Sequence, residues 1–168
     1  FDAHDDYHRY VDGKPRYDGV KSFLESRGIS IPYGHPDDGP DEETVCGLGN
    51  RKNLHFLEYL KERKAEAYPS TVDLIKDLRA RGIGTALISA SVNARAVTES
   101  AGVSKLFDAR VDGADSIRLG LKGKPDPAIF LEAARQLGVE PAKAAIIEDS
   151  LAGVEAGRRG GFRLVIGV

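Results

Sequence analysis

The chain of 168 residues is long enough for one full core, or for a core with a small accessory lobe, and its 41% hydrophobic content is ordinary for a globular protein. Its net charge of -2, with acidic and basic residues interleaved, leaves no basic stripe and argues against nucleic acid or a membrane surface as partner. The single cysteine excludes an internal disulfide framework, and no apolar run could span a bilayer, so we expect a cytoplasmic protein.

The first third of the chain predicts helices and loops and no strand. Apolar side chains recur at helical spacing over residues 17–24. The segment over residues 32–41 is rich in proline, glycine and aspartate, which predicts a surface loop. Helical patterns return over residues 42–48 and 53–61. We therefore expect residues 1–67 to form a small helical domain.

The remaining residues, 68–168, show a different pattern, in which short apolar strands alternate with helices. This alternation is typical of βαβ units around a parallel sheet and predicts the α/β fold class. The predicted strands cover residues 84–88, 109–111, 144–147 and 162–166, and the predicted helices cover residues 71–81, 91–102, 127–137 and 150–159.

Three polar clusters follow predicted strands or lie close to their ends: residues 89–93, residues 122–127 and residues 148–150. Because the carboxyl ends of parallel strands meet at one edge of a sheet, we expect the three clusters to face one crevice. Hydroxyls and backbone N–H groups can donate to phosphate, a lysine can neutralise phosphoryl charge, and two carboxylates can bind Mg²⁺. Together they indicate phosphoryl transfer.

Each cluster, judged alone, also has a plain structural interpretation. Ser91 can be no more than a helix cap, and Lys124 can simply be a residue of a solvated turn. Glu148, Asp149 and Ser150 can merely complement the positive end of the following helix. The order and spacing of the three clusters favour the functional interpretation.

The same residues resemble the conserved motifs of the haloacid dehalogenase superfamily. Ser89 after an apolar strand, Lys124 in Gly-Lys-Pro-Asp-Pro, and the Glu148-Asp149-Ser150 sequence after another strand are similar to its second, third and fourth motifs. The resemblance covers the chain from about Pro69 to its end. It implies a parallel-sheet, Rossmann-like core that carries a small helical cap.

The resemblance also implies roles for individual residues. Ser89 and Lys124 would steady the transferring phosphoryl group, and Glu148 and Asp149 would bind Mg²⁺. Ser91 and Asn93 would help to hold a phosphate.

Within the superfamily the chain looks most like the β-phosphoglucomutase group. Residues 13–19 and 49–53 are similar to the cap segments of that group that bind the distal phosphate and the sugar. Arg16 and Lys52 would then contact substrate phosphate and hydroxyls. Without the downstream motifs, a solvated helix face would be the favoured interpretation of both residues, because most surface Arg and Lys side chains have no specific partner.

Two departures from the family pattern stand out. Val92 occupies a place where the sugar-phosphate mutases of the group tend to carry lysine. The first motif, Asp-x-Asp after a strand, which supplies the nucleophile and the general acid and base in the family, is absent, because no apolar strand precedes Asp2, Asp5 or Asp6. We therefore expect a core that lacks its first strand and its C-terminal end, in a chain that is a fragment of a longer protein.

The resemblance leads to three functional hypotheses. The first is Mg²⁺-dependent conversion of a hexose 1-phosphate to the 6-phosphate through an aspartyl phosphate. The second is a phosphatase of the same superfamily that hydrolyses a small phosphomonoester. The third, prompted by the absent nucleophile, is an inactive protein that binds sugar phosphates.

The four histidines offer no clear metal site. His4 and His8 could form a chance pair of ligands, but a solvated pair explains them better, and we predict no zinc.

Overall fold

The computed structural model describes residue 2 and residues 5–168, which fall into two compact units. The first unit runs to Arg63, and the second begins at Lys64. No helix in the described part of the chain is both long enough and apolar enough to cross a membrane. The change of sequence pattern near Pro69 thus falls a few residues after the structural boundary.

The first unit is helical, and its described residues contain no strand, as the sequence predicted. A π-helical turn spans Tyr7–Val11, helix α1 spans Arg16–Ser26 and helix α2 spans Val45–Glu62. The residues between α1 and α2 form the predicted loop.

Helix α2 is continuous where the sequence predicted two separate helical stretches. Thr44 caps it, because its Oγ1 accepts a hydrogen bond from the Gly47 N–H group at 2.9 Å. Gly49 lies inside the helix although glycine weakens helices, since a Cβ at this position would stand 2.7 Å from Tyr17 Cδ1. The glycine lets α1 and α2 approach closely, which a periodicity argument cannot reveal.

The second unit alternates helices with short strands, which confirms the α/β fold class. Its strands are β1 (Ala86–Ile88), β2 (Ala109–Val111), β3 (Ala145–Glu148) and β4 (Leu164–Gly167). Its helices are α3 (Pro69–Ala80), α4 (Ala94–Ser100), α5 (Gly113–Leu119), α6 (Ala128–Leu137) and α7 (Leu151–Arg159).

The strands pair as two parallel ribbons. Strand β1 pairs with β2, with Ala86 opposite Ala109, and β3 pairs with β4, with Ala145 opposite Leu164. Within the described residues the two ribbons do not share a ladder of hydrogen bonds, so the sheet is interrupted. In each ribbon the carboxyl ends of both strands lie at the same edge, as parallel pairing requires.

One apolar cluster nevertheless joins the two ribbons. Buried side chains of β2, β3, α6 and α7 meet in it, and partly buried residues of β1 and β4 pack against it. Its largest member, Phe130, is 1% exposed and meets the Phe162 ring edge to face, with centroids 6.1 Å apart. The buried members are Val111, Ile129, Phe130, Ala133, Ile146 and Ala156.

Helix α5 forms where the sequence pattern predicted no helix. A capping box begins it: Asp112 Oδ1 accepts from the N–H groups of Ala114 and Asp115, and Asp115 Oδ2 accepts from the Asp112 N–H group. A hydrogen bond from Arg118 to Asp115 lowers the pKa of that carboxyl below its ordinary value. Aspartate in place of the usual glutamate at the third helical position concealed this signal.

Candidate functional site

Glu148 ends strand β3, and its carboxylate lies buried at the carboxyl end of that strand. The Lys124 Nζ atom stands 2.8 Å from each of its two oxygens. Ser150 donates to Oε1 twice, through its hydroxyl at 2.6 Å and through its backbone N–H group at 3.3 Å. Three donors therefore fix the position of this carboxylate.

Lys124 reaches Glu148 from the segment between α5 and α6. Its side chain is only 9% exposed, and its ammonium group stands 5.2 Å from the centre of the Phe130 ring. This burial rules out the interpretation of Lys124 as a residue of a solvated turn. The structure thus brings together two predicted site residues that are separated by 24 positions in the sequence.

Ser150 has two roles in the same place. Its Oγ accepts a hydrogen bond from the Gly153 N–H group at 3.1 Å and so caps helix α7, in line with the plain structural interpretation of residues 148–150. The same hydroxyl donates to Glu148. Capping and fixation of the carboxylate are therefore compatible interpretations.

Asp149 follows Glu148 and is exposed. Among the described residues its carboxylate has no hydrogen-bond or ion-pair partner, and Glu148 Oε2 accepts only from Lys124. Mg²⁺ in proteins commonly takes one or two carboxylates and completes its coordination with water or phosphate oxygens. In chemical type, these two carboxylates fit that cation.

Among the described residues, no larger cluster of metal-binding side chains is found. The described part of the chain contains no group of three or more histidine, cysteine, aspartate or glutamate side chains that could hold a metal ion. His4 lies outside the described residues, and His8 Nδ1 stands 3.3 Å from Asp12 Oδ2.

Gly153, in the first turn of α7, makes room for Glu148. A Cβ at this position would lie within 3.0 Å of three atoms of the Glu148 side chain, Cγ, Cδ and Oε1. The carboxylate can therefore rest on the helix only because residue 153 has no side chain. Sequence reasoning missed Gly153, since a glycine five residues after a carboxylate carries no recognisable signal by itself.

Ser89, Ser91 and Asn93 lie in the loop between β1 and α4. Ser89 Oγ accepts from the Ser91 N–H group, and Ser91 Oγ accepts from the Asn93 N–H group, each at 3.1 Å. These local bonds hold the backbone in turns, so helix α4 begins at Ala94. The interpretation of Ser91 as the helix cap is wrong, because Asn93 occupies that position.

The two predicted substrate residues of the first unit differ in their surroundings. Arg16 is half-buried, and its Nη1 donates to Asn50 Oδ1 at 3.3 Å. Tyr17 also donates to Asn50 Oδ1, at 2.9 Å, and the Asn50 amide donates to two backbone carbonyls of the preceding loop. Lys52 is exposed on α2. Asn50 thus organises the surroundings of Arg16, a role that the sequence did not reveal.

Comparison with known proteins identifies what this chain is similar to. Residues 2–161 match the sequence profile of the haloacid dehalogenase-like hydrolases. A β-phosphoglucomutase of Mycobacterium bovis is 46% identical over 168 residues, which are 100% of this chain and 64% of that protein. The chain therefore spans less than two thirds of the length of this relative.

Two further proteins are similar to nearly the whole chain, one in sequence and one in structure. A phosphorylated carbohydrates phosphatase of Thermotoga maritima is 29% identical over 166 residues, covering 98% of this chain and 69% of that protein. The crystal structure of a β-phosphoglucomutase from Clostridium difficile superposes with a TM-score of 0.78 at 26% identity, covering 93% of this chain and 66% of that one.

Proposed function

We propose that this chain, which belongs to the haloacid dehalogenase-like hydrolase family, takes part in Mg²⁺-dependent phosphoryl transfer on a small sugar phosphate. The preferred reaction resembles that of β-phosphoglucomutase and converts a hexose 1-phosphate to the 6-phosphate through an aspartyl phosphate. The 46% identity with the M. bovis β-phosphoglucomutase supports the reaction class.

One observation carries the proposal. Lys124 and Glu148 come from different segments of the chain, and their charged groups meet in a buried position at a strand end. Burying a lysine and a glutamate costs solvation energy that an ordinary structural contact seldom repays. Charged groups that are buried together in this way are candidates for a functional site.

Each residue is assigned a role that suits its charge or its hydrogen-bonding groups. The Lys124 ammonium group would offset the negative charge of the transferring phosphoryl group, and the loop with Ser89, Ser91 and Asn93 would donate hydrogen bonds to its oxygens. Glu148 and Asp149 would bind Mg²⁺, which supplies positive charge for phosphate oxygens when bound. None of these site residues corresponds to the nucleophilic aspartate of the family.

Arg16 and Lys52 would contact the part of the substrate that does not react. A guanidinium group suits a phosphate, because its planar fork can donate two parallel hydrogen bonds. The Asn50 amide, which binds two loop carbonyls, would keep Arg16 oriented for this contact.

Arg16→Ala is expected to raise the KM for a hexose phosphate by about tenfold or more, because a hydrogen bond to a charged group contributes about 1.5–3 kcal/mol. Transfer of the phosphoryl group to water as the acceptor should change much less, since water carries no distal phosphate. Steady-state kinetics of the full-length protein test this, with Arg9→Ala, an exposed arginine of the same unit, as the matched control. Equal losses with both acceptors would contradict the distal contact.

A phosphatase is the second candidate, favoured by the similarity to the T. maritima phosphorylated carbohydrates phosphatase. In that reaction water accepts the phosphoryl group in place of a sugar hydroxyl. Incubating the full-length protein with β-glucose 1-phosphate and a glucose bisphosphate primer discriminates the two. Formation of glucose 6-phosphate supports the mutase, and release of inorganic phosphate without glucose 6-phosphate rejects it in favour of the phosphatase.

A further inference from the structure

The loop with Ser89, Ser91 and Asn93 depends on the residue that begins α5. The Gly113 N–H group donates to the Ser91 carbonyl at 3.2 Å, and the Ser89 N–H group donates to the Val111 carbonyl at 3.1 Å. The loop is thus hydrogen-bonded to the end of β2 and to the start of α5.

Gly113 is in closer contact with this loop than any other residue type would allow. A Cβ at position 113 would stand 2.5 Å from Ala90 O, 2.8 Å from Val92 N and 2.9 Å from Ser91 C. All three are backbone atoms, which cannot avoid the clash by changing rotamer as a flexible side chain can. A side chain at this position therefore has to displace the loop itself.

The backbone at Gly113 is itself held in place and cannot easily move away from the loop. It is buried, and it lies between Asp112 and the other residues of the α5 capping box. The Asp112 side chain is 4% exposed and accepts from two backbone N–H groups of the helix. The strain of an added side chain would consequently fall on the loop, whose residues Ser91 and Val92 are exposed.

We propose that Gly113 is a positioning residue. It holds the loop with Ser89, Ser91 and Asn93 in its place at the carboxyl ends of β1 and β2. The proposal rests on the proposed function, because it requires that the loop bind the phosphoryl group. Gly113 does not touch the substrate; it acts through the backbone of residues 89–93.

The test is Gly113→Ala in the full-length protein, with inorganic phosphate as the probe. We expect competitive inhibition by phosphate to weaken by about tenfold or more, as the loss of one hydrogen bond to a charged group requires. The KM for a hexose phosphate should rise in parallel. The Mg²⁺ concentration for half-maximal activity should stay unchanged, because Glu148 ends a strand of the other ribbon and Asp149 directly follows that strand.

Gly84→Ala is the matched control. Gly84 precedes the same strand, β1, at its opposite end, and a Cβ there would meet only Leu137 Cδ2 at an ordinary 3.4 Å. Phosphate inhibition that is equal in the Gly113 and Gly84 variants would overturn the inference. A uniform loss of phosphate and Mg²⁺ affinities in Gly113→Ala would also overturn it, since that pattern indicates general misfolding.

If Gly113→Ala does not fold, Asp115→Ala replaces it. Asp115 closes the capping box through the Asp112 N–H group, and its side chain is 20% exposed, so the fold tolerates its loss better. Weaker phosphate inhibition at unchanged Mg²⁺ affinity supports the inference, and unchanged inhibition overturns it. A wild-type protein that neither binds phosphate nor turns over a phosphate ester refutes the proposed function itself, whatever the variants do.

Discussion

If Lys124 has the proposed role, Lys124→Ala is expected to reduce turnover of the full-length protein by about 10²–10³-fold, because it would remove a preorganised positive charge from the transferring phosphoryl group. The loss should appear mainly in kcat, since this charge is needed most where negative charge develops. Lys122→Ala is the matched control, because Lys122 lies two residues away and is exposed. Turnover that is equal in the two variants would contradict the role of Lys124.

The structure adds a second consequence for stability. Lys124→Ala leaves the buried Glu148 carboxylate without its ion-pair partner, and breaking a buried pair in this way costs about 3–5 kcal/mol. We therefore expect a lower free energy of unfolding in the variant without metal, measured by urea denaturation. Added Mg²⁺ should restore stability but not turnover, and this separation distinguishes the catalytic role from a purely structural one.

Gly153→Ala is expected to abolish most Mg²⁺ binding while the protein remains folded. The new methyl group would occupy the space of the Glu148 carboxyl group, and a flexible side chain can move aside where a backbone could not. Alanine in place of glycine also favours the helix by about 1 kcal/mol, which offsets part of the lost packing. The displaced carboxylate, however, can no longer meet Lys124 and Ser150 together.

The readout for Gly153→Ala is the rise of the melting temperature on addition of Mg²⁺, measured beside the activity. The wild type and the Gly84→Ala control should both be stabilised by Mg²⁺, and Gly153→Ala should not respond. A response as large as that of the wild type would show that Glu148 does not need the space above residue 153.

The sequence predicted the fold class and most elements of the second unit because apolar periodicity and turn residues agree there. Strand β2 and the end of α7 fall where the pattern placed them. The sequence did not indicate that α2 continues through Gly49, where a side chain would collide with Tyr17, because a close approach between distant residues has no local signature. Helix α5 was missed for a different, local reason: its start is stabilised by a capping box with aspartate in place of the usual glutamate.

The candidate site was predictable only as a set of residue types. Spacing at strand ends indicated that Lys124 and Glu148 belong to one site, and the structure adds that they form a buried ion pair. Nothing in the sequence indicated that Gly153 and Gly113 make the site possible. A glycine's function there is the absence of a side chain, and which atoms fill that space is known only from the folded chain.

The most direct test of the site uses Asp149→Asn in the full-length protein. Asp149 is exposed and has no partner among the described residues, so the substitution should leave the melting temperature without metal unchanged. If Glu148 and Asp149 bind Mg²⁺ for phosphoryl transfer, the Mg²⁺ concentrations for half-maximal activity and for thermal stabilisation should both rise by about tenfold or more, as loss of a ligand requires. Identical Mg²⁺ dependence in the wild type and the variant would contradict the account.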